Sequence, residues 1–362
     1  MGGALKIVVI GGGVVGAAIA YELSQVPHLH ITLLEQAPAP AQASTGAALG
    51  VLMGAISQKP KGNNLKMRLF GIEQYNQWLP KLEAIAGFPI PFNQQGILRL
   101  CGADEDLERW QRLLPVREAQ GVPLQWCDRD QLHTHYPYLN LDPVVAGIYA
   151  PSDRQINPTR LTQALLTAAA HQGVTVHFNT PVTFTVVQGR IQVATPTQVV
   201  QSDWVVIAAG VGSTALTTAL ARPVDIRPVL GQAVRVRVSA EAGLPERHPV
   251  ITGGDVHLVP LEHGEYWIGA TVEFPDPVGT PLPPDAEQLE QVLTAAIALC
   301  PAFQQATVVE QWFGLRPRPE GRPAPIIETL PDFPNVMVAA GHYRNGVLLA
   351  PATARQVRLA IG

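Results

Sequence analysis

The chain has 362 residues, of which 47% are hydrophobic and 15% are charged, and its formal net charge is -4 at pH 7. This length suffices for two domains, and the lack of a lysine or arginine cluster argues against a nucleic-acid partner. Three widely spaced cysteines fit neither a disulfide framework nor a zinc pattern, so we expect a reducing, cytoplasmic environment. No apolar run reaches the length of a transmembrane segment.

The N-terminal sequence KIVVIGGGVVGAAIAYELSQVPHLHITLLEQ (6–36) predicts a strand, a glycine loop, a helix and a second strand. We interpret the first apolar run as a buried strand and not as a signal peptide. The spacing of Gly11, Gly13 and Gly16 allows a tight turn, close approach of a pyrophosphate and close packing of the helix. Glu35 ends the second strand, where its carboxylate can bind an adenosine ribose. A dinucleotide site follows, without a distinction between NAD and FAD.

The following segment, ASTGAALGVLMGAIS (43–57), consists mostly of small residues. Such residues permit a close approach to a cofactor, but they also suit a buried core segment. Apolar periodicity then predicts helices and strands in alternation. The predicted helices cover 63–85, 104–121 and 285–300, a predicted strand covers 92–101, and 156–187 contains a helix followed by a strand.

Strand–helix pieces therefore occur at the start, at 156–210 and at 334–362, with strand-like runs between 228 and 274. This order predicts an α/β fold in which an α+β substrate domain is inserted into a Rossmann-like domain. We expect the first domain to comprise 1–85, 145–225 and 330–362. The second domain would comprise 86–144 and 226–329.

Three segments resemble the D-amino-acid oxidase superfamily of FAD enzymes, and within it the glycine oxidase group. They are the N-terminal fingerprint, DWVVIAAGVGS (203–213), and GLRP (314–317) leading to NVMVAAGHYRNGVLLAPAT (335–353). The resemblance implies a p-hydroxybenzoate-hydroxylase-like architecture with an extended FAD whose flavin ring lies between the two domains. It implies non-covalent binding, because 313–340 lacks the cysteine that sarcosine oxidases use for attachment.

The resemblance also implies a set of cofactor-binding residues. The loop 342–348 would run along the flavin, and a helix N-terminus would stabilise the negative charge of reduced flavin. The implied set is Gly11, Gly13, Val14, Val15, Gly16, Glu35, Gln36, Ser44, Thr45, Leu49, Gly50, Val51, Val182, Ala209, Gly210, Gly341, His342, Tyr343, Arg344, Asn345, Gly346, Val347 and Leu348.

For the substrate, the resemblance implies Arg316 as the residue that binds a carboxylate, since a guanidinium can bind it with two hydrogen bonds. A structural salt bridge is the alternative for Arg316. Arg344 would be a second positive group near the substrate, or would pair with a local acid. His257 stands where glycine oxidases have a tyrosine that helps to bind the carboxylate, and Asp255 stands where they have a histidine. These replacements leave the identity of the substrate open.

The predicted reaction is hydride transfer from the α-carbon of a small amino acid or secondary amine, which needs positioning and a cofactor but no protein base. Oxygen would accept the electrons and yield hydrogen peroxide. A quinone-linked dehydrogenase and a flavin-binding protein without turnover are the alternatives. No metal site is expected, since the pairs His28/His30 and His133/His135 lack a third ligand. The family allows a homo-oligomer.

Overall fold

The computed structural model describes residues 4–187, 190–239 and 244–362. The strands are β1 (Leu5–Ile10), β2 (Leu29–Leu34), β3 (Val51–Leu52), β4 (Phe92–Asn93), β5 (Ile97–Cys101), β6 (Gln125–Cys127), β7 (Ala146–Ala150), β8 (Arg154–Ile156), β9 (Thr175–His177), β10 (Thr183–Val187), β11 (Arg190–Ala194), β12 (Val199–Val200), β13 (Trp204–Ile207), β14 (Ile226–Arg237), β15 (Val250–Gly253), β16 (Val256–Pro260), β17 (Glu265–Gly269), β18 (Thr307–Pro319), β19 (Ile326–Leu330) and β20 (Phe333–Ala340). The helices are α1 (Val14–Ser24), α2 (Asn63–Ala86), α3 (Leu107–Ala119), α4 (Arg129–His135), α5 (Pro158–His171), α6 (Ser213–Ala219), α7 (Ala286–Leu299) and α8 (Gly346–Ile361).

A six-stranded sheet with the order β19-β20-β13-β1-β2-β9 contains the N-terminal strand at its centre. All of its neighbouring strands run parallel except β19, which is antiparallel to β20. Ile7 and Val9 pack against α1, α2, α5 and α8, whereas Val8 and Ile10 pack against β10 and β11. Because successive side chains of a strand point to opposite faces, a strand covered on both sides is apolar at every position. This explains the continuous β-branched run of the sequence.

The second large sheet has eight strands in the order β18-β14-β17-β16-β15-β5-β7-β6. Its pairs are antiparallel, apart from the parallel pair of β15 and β5. One face, which includes Leu98 and Ile268, packs against α7 and α4. The other face, which includes Val250 and Val259, packs against α3 and against residues 49–56, which are part of the small-residue segment 43–57. This second face therefore looks towards the part of the chain for which the sequence predicts cofactor binding.

The predicted α/β architecture with an added antiparallel sheet is confirmed by these two sheets. Predicted helix 63–85 is α2, and Asn157 caps α5 as its side chain accepts a hydrogen bond from Arg160 N at 3.0 Å. The domain boundaries remain a prediction. β7 lies in the predicted first domain, but it pairs with β5 of the eight-stranded sheet. Most of β19 lies in the predicted second domain, but it pairs with β20 of the six-stranded sheet. Among the described residues, no helix has the length and apolar character needed to cross a membrane.

Candidate cofactor and substrate site

The predicted cofactor residues meet at one edge of the six-stranded sheet. β1, β2, β13 and β20 are parallel, so the chain leaves all of them at the same carboxyl edge. Gly11 follows β1, Glu35 follows β2, Gly210 follows β13 and Gly341 follows β20. The carboxyl edge of an open parallel sheet is where α/β proteins bind ligands.

The glycine loop has no room for side chains at two of its three positions. A Cβ on Gly11, where φ is +111°, would lie 2.5 Å from the carbonyl oxygen of Ala208. A Cβ on Gly16 would lie 1.9 Å from the carbonyl oxygen of Gly11. Helix α1 begins at Val14, and its N-cap, Gly13, provides no side-chain cap. The loop is therefore a bare backbone turn that ends at a helix N-terminus, as the sequence predicted.

Glu35 lies beside this loop at the end of β2. One carboxylate oxygen accepts a hydrogen bond from Gly12 N, and the other accepts one from Ala37 N at 2.7 Å. The carboxylate is half-buried and faces the glycine loop, which is where the sequence predicted a ribose partner. Its neighbour Gln36 is exposed and makes no side-chain hydrogen bond here.

The small-residue segment that includes Ser44–Val51 connects the cofactor edge to the second sheet. Thr45 Oγ1 accepts a hydrogen bond from Val14 N at 3.1 Å, which places this segment against the start of α1. Ser44 Oγ donates to the carbonyl oxygen of Leu315 at 2.5 Å. A Cβ on Gly314 would lie 2.3 Å from the Cβ of Ala47, so β18 must have a glycine here.

The same segment continues into the core. Leu49 is buried and packs near Gly269 of β17. A Cβ on Gly50, where φ is +70°, would lie 1.8 Å from the carbonyl oxygen of Ile156. Val51 pairs with Gln155, whose side-chain amide donates to Leu49 O at 3.0 Å. The sequence left a cofactor segment and a core segment as alternatives, and the structure shows core contacts for Leu49 and Val51. The cofactor role of this stretch stays a prediction.

The turn after β20 places a helix N-terminus at the carboxyl edge. Gly341 has φ of +67° and Tyr343 has φ of +53°, and the chain then forms a short 3₁₀ turn. Helix α8 starts at Gly346, and its N-cap Asn345 makes no side-chain hydrogen bond to the first turn. Within the described part of the chain, the first amides of α8, up to Leu348, thus have no side-chain acceptor.

Two buried side chains support this helix. His342 Nε2 lies 2.8 Å from Thr353 Oγ1, and burial lowers the pKa of His342 to about 4, so the ring is neutral near pH 7. The Tyr75 hydroxyl donates to the carbonyl oxygen of Val347. That carbonyl would ordinarily accept from residue 351, but Pro351 has no N–H. Tyr75 therefore replaces a missing helix hydrogen bond.

Two further residues predicted to bind the cofactor lie on the other face of the first sheet. Val182 and Ala209 both pack against the core cluster that includes Val8 and Ile10. Gly210, with φ of +57°, begins a 3₁₀ turn directly after β13. These residues adjoin the glycine loop through Ala208, whose N–H donates to Ile10 O at 2.8 Å. Val15 is half-buried on α1.

Arg316 extends from β18 across the neighbouring strand β14. Its Nη1 donates to Leu230 O at 2.9 Å, and a Cβ on Gly231 would lie 2.1 Å from Nη1. The guanidinium therefore rests on Gly231. Burial, followed by the charge of Arg344, lowers the pKa of Arg316.

Arg316 has no acidic ion-pair partner among the described residues. Its neighbours along the chain differ, since Arg318 pairs with Glu320 at 2.7 Å and Arg322 pairs with Glu328 at 2.5 Å. The structural salt bridge considered for Arg316 is thus absent from the described part of the chain, while both neighbours form one.

Arg344 pairs with a local acid, as one of the two sequence interpretations anticipated. Its Nη2 lies 3.1 Å from Asp255 Oδ1. Asp255 is at the tip of the two-residue turn that joins β15 to β16, and its side chain is 71% exposed, against 36% for Arg344. The pair joins the second sheet to the turn that precedes α8.

His257 is on β16, directly opposite Thr252 of β15. Both side chains lie on the sheet face that looks towards the first domain, since they alternate with residues of the opposite core. Burial lowers the pKa of His257 to about 4, and the charge of Arg344 adds to this effect. Within the described residues, His257 Nδ1 and Thr252 Oγ1 are buried without a hydrogen-bond partner. His257 is therefore a neutral polar group in this wall.

Sequence reasoning missed two buried charged side chains, Asp153 and Arg117, which bind backbone groups of the segment after β3. Asp153 is fully buried and accepts hydrogen bonds from Gly54 N, Ala55 N and Ile56 N at 3.1, 2.7 and 3.0 Å. Burial raises its pKa to about 6, although these amides oppose the shift. Arg117 is also fully buried and donates to the carbonyl of Ala55 at 2.7 Å and to others nearby. The only sign of this arrangement in the sequence is the position of Asp153, an acidic residue directly before β8.

The histidine pairs considered as metal ligands do not assemble. Within the described residues, no group of three histidine, cysteine, aspartate or glutamate side chains is arranged to hold a metal ion. His133 and His135 are exposed in the short helix α4.

Comparison with known proteins identifies the family. Residues 6–358 match the family of FAD-dependent oxidoreductases designated DAO. The chain belongs to this family. Members of the DAO family bind FAD.

Relatives of the DAO chain include bifunctional ThiO/ThiG proteins and glycine oxidases. The chain is 32% identical to the bifunctional protein ThiO/ThiG of Synechocystis sp., over 96% of this chain and 50% of that protein. It thus spans about half the length of the ThiO/ThiG relatives. It is 29% identical to the glycine oxidase of Geobacillus kaustophilus over 96% of this chain and 90% of that protein. The crystal structure of a glycine oxidase from that organism superimposes with a TM-score of 0.86 at 27% identity, covering 98% of this chain and 94% of that chain.

Proposed function

We propose that this protein oxidises a small amino acid or secondary amine, of the glycine, D-amino-acid or sarcosine type, with FAD as cofactor. The amine loses two electrons and becomes an imine, and oxygen gains them to give hydrogen peroxide. Water then hydrolyses the imine to an oxo acid and ammonia or an amine. The similarity to proteins named glycine oxidase supports this reaction class. The observation on which the proposal rests is Arg316, a half-buried guanidinium that has no acidic partner among the residues that the structure describes.

The residues of the carboxyl edge fit an extended dinucleotide. Gly11 and Gly16 leave bare backbone, and neither Gly13 nor Asn345 caps its helix with a side chain. Val14 N donates to Thr45 Oγ1, so the amides of α1 that follow Val14, together with the first amides of α8, are available to anionic groups. Glu35 would bind the ribose. FAD, when bound, supplies the acceptor for the hydride.

Arg316 would bind and orient the substrate carboxylate. A guanidinium has five N–H donors, and only one hydrogen bond, to Leu230 O, is made to the described protein. The remaining donors can bind a carboxylate with two parallel hydrogen bonds, which fixes the direction of the α-carbon. This positioning is the main contribution that the chain makes to hydride transfer.

His257 would contribute a hydrogen bond and no charge. With a pKa of about 4 the ring stays neutral between pH 5 and 8. A neutral imidazole keeps one N–H donor, which can serve a carboxylate in the role of the tyrosine hydroxyl of glycine oxidases. The reaction needs no protein base when the amine enters in its neutral form.

Anaerobic mixing of the purified yellow protein with single amino acids and N-methylated amines tests the proposal. We expect one of these compounds to bleach the flavin and air to restore the colour. In Arg316→Ala the KM should rise roughly a hundredfold, since two charge-assisted hydrogen bonds contribute about 3 kcal/mol. Arg322→Ala is the matched control, because Arg322 pairs with Glu328 at the surface.

The outcomes separate the alternatives. Bleaching that air does not reverse, with transfer to a quinone, would assign a dehydrogenase. An Arg316→Ala variant with an unchanged KM would contradict the role of Arg316. Absence of bleaching by every primary and secondary amine would exclude amine oxidation, and failure to bind flavin would exclude the cofactor.

A further inference from the structure

Some of the arginine side chains near the proposed substrate site form ion pairs with an acidic residue, and one does not do so within the described residues. Arg344 pairs with Asp255 at 3.1 Å, and Arg99 pairs with Glu105 at 2.9 Å. Arg316 has only the carbonyl oxygen of Leu230 among the described residues. His257 is neutral near pH 7. Arg316 is thus the one positive group of this set that lacks an acidic partner in the described chain.

Asp255 is close enough to influence the whole site. Its charge raises the pKa of both His257 and Arg316, against the larger lowering caused by burial and by Arg344. Glu273 acts on the pKa of Arg316 less than Asp255 does, and its oxygens already accept hydrogen bonds from the side chains of Gln232 and Thr271 and from Asp285 N. Asp255 is therefore the acid that is both near the site and open to solvent.

From this arrangement we infer that Asp255 is a specificity-determining residue that restricts the substrate to a single carboxylate. Arg344 could bind a second carboxylate, but its guanidinium already forms an ion pair with Asp255. A dicarboxylic ligand with one carboxylate on Arg316 would bring its second carboxylate beside Asp255. Two like charges about 4 Å apart repel enough to weaken binding roughly fivefold in water, and more where the site excludes water.

The contact itself contributes little to folding, which makes the inference testable. Exposed ion pairs stabilise a protein only weakly. Asp255 is at the tip of a two-residue turn whose first residue, Gly254, has φ of +57°, and the turn geometry depends on that glycine. Replacement of the Asp255 carboxylate should therefore change the charge of the site and leave the hairpin intact.

Competitive ligands measure the effect without dependence on turnover. Acetate and malonate differ by one carboxylate, and their dissociation constants follow from the change in flavin absorbance of the holoenzyme at fixed ionic strength. In Asp255→Asn we expect the affinity for malonate relative to acetate to rise at least fivefold. Asp255→Ala should shift the ratio in the same direction. Glu262→Gln removes an exposed acid from the turn between β16 and β17 and should leave the ratio unchanged.

A double variant identifies the group that binds the second carboxylate. In Asp255→Asn combined with Arg344→Ala the gain for malonate should disappear. A ratio that stays constant in both Asp255 variants would overturn the inference, as would equal gains for acetate and malonate.

The inference rests on the proposed function, but the two fail in different ways. If Arg316→Ala binds acetate as tightly as the unchanged protein, the assignment of the carboxylate site is wrong. If Arg316→Ala loses acetate while Asp255→Asn leaves the ratio constant, only the inference about Asp255 is wrong.

Discussion

Replacement of Gly231 by alanine should weaken carboxylate binding while the protein stays folded. The new Cβ would lie 2.1, 2.2 and 2.3 Å from Nη1, Nη2 and Cζ of Arg316. Ordinary van der Waals contact begins at 3.4 Å, so the guanidinium must move by about 1.3 Å, the difference between 3.4 and 2.1 Å. The three nearest atoms all belong to the Arg316 side chain, so the first group that must move is the guanidinium and not the backbone.

This displacement is large compared with the tolerance of a two-hydrogen-bond contact. A misplacement of about 1 Å can cost roughly a hundredfold where geometry decides the interaction. The bond from Nη1 to Leu230 O, at 2.9 Å, would also be lost or lengthened. We therefore expect Gly231→Ala to bind acetate between tenfold and a hundredfold more weakly, or about 1.4 to 2.7 kcal/mol.

Flavin difference spectra give the acetate affinity, and thermal unfolding of the same samples checks the fold. Gly253→Ala is the matched control, since it is also in a strand of this sheet and the atoms nearest to its Cβ would be the two movable methyl groups of Leu299, at 3.0 Å. In an Arg316→Ala background, Gly231→Ala should have no further effect on acetate. Full additivity of the two changes, or wild-type affinity in Gly231→Ala, would refute the reasoning.

Two further predictions concern helix α8. Tyr75→Phe should lower the free energy of unfolding by about 1–3 kcal/mol, because the buried Val347 carbonyl would lose its hydrogen-bond donor. Denaturant titration measures this loss. Adding Pro351→Ala should recover part of the lost stability, since residue 351 would then have an N–H that can donate to the Val347 carbonyl. His342 has a pKa lowered from 6.5 to about 4, so the native state resists protonation and the unfolded state does not. Stability should therefore fall as pH drops from 6.5 towards 4, by up to about 3 kcal/mol from this group. His342→Gln should be less stable at pH 7 but should lose this part of the pH dependence, and an identical pH slope in both proteins would contradict the argument.

The sequence predicted the structure best where residues close together in the chain form the whole structural unit. A β-branched strand followed by Gly11, Gly13 and Gly16 predicts its own surroundings, because strand, turn and helix are neighbours in the chain. Once the strands are known to be parallel, the common edge that Glu35 and Gly210 share follows from topology. The likeness to a known family added the positions of Arg316 and Arg344, which no periodicity would have singled out.

The missed features depend on contacts between distant parts of the chain. Asp153 binds amides that are 97 to 99 residues away, and nothing near it in the sequence marks it as buried. Gly231 is one glycine in a strand-like run, and its importance comes only from the arginine that crosses it. The low pKa of His257 arises from burial, which a strand pattern does not reveal.

The position of β1 at the centre of the parallel sheet has a consequence for synthesis on the ribosome. Its partner β13 is made some two hundred residues later, and β20, which completes that side, belongs to the last part of the chain. Helix α1 likewise packs against α8. One edge of β1 therefore stays unpaired until β13 has been made, and α1 lacks its contact with α8 until residues 346–361 have been made. Such high contact order slows folding and exposes intermediates to aggregation. We expect early truncation products to be insoluble, and neither sheet to fold as a separate fragment.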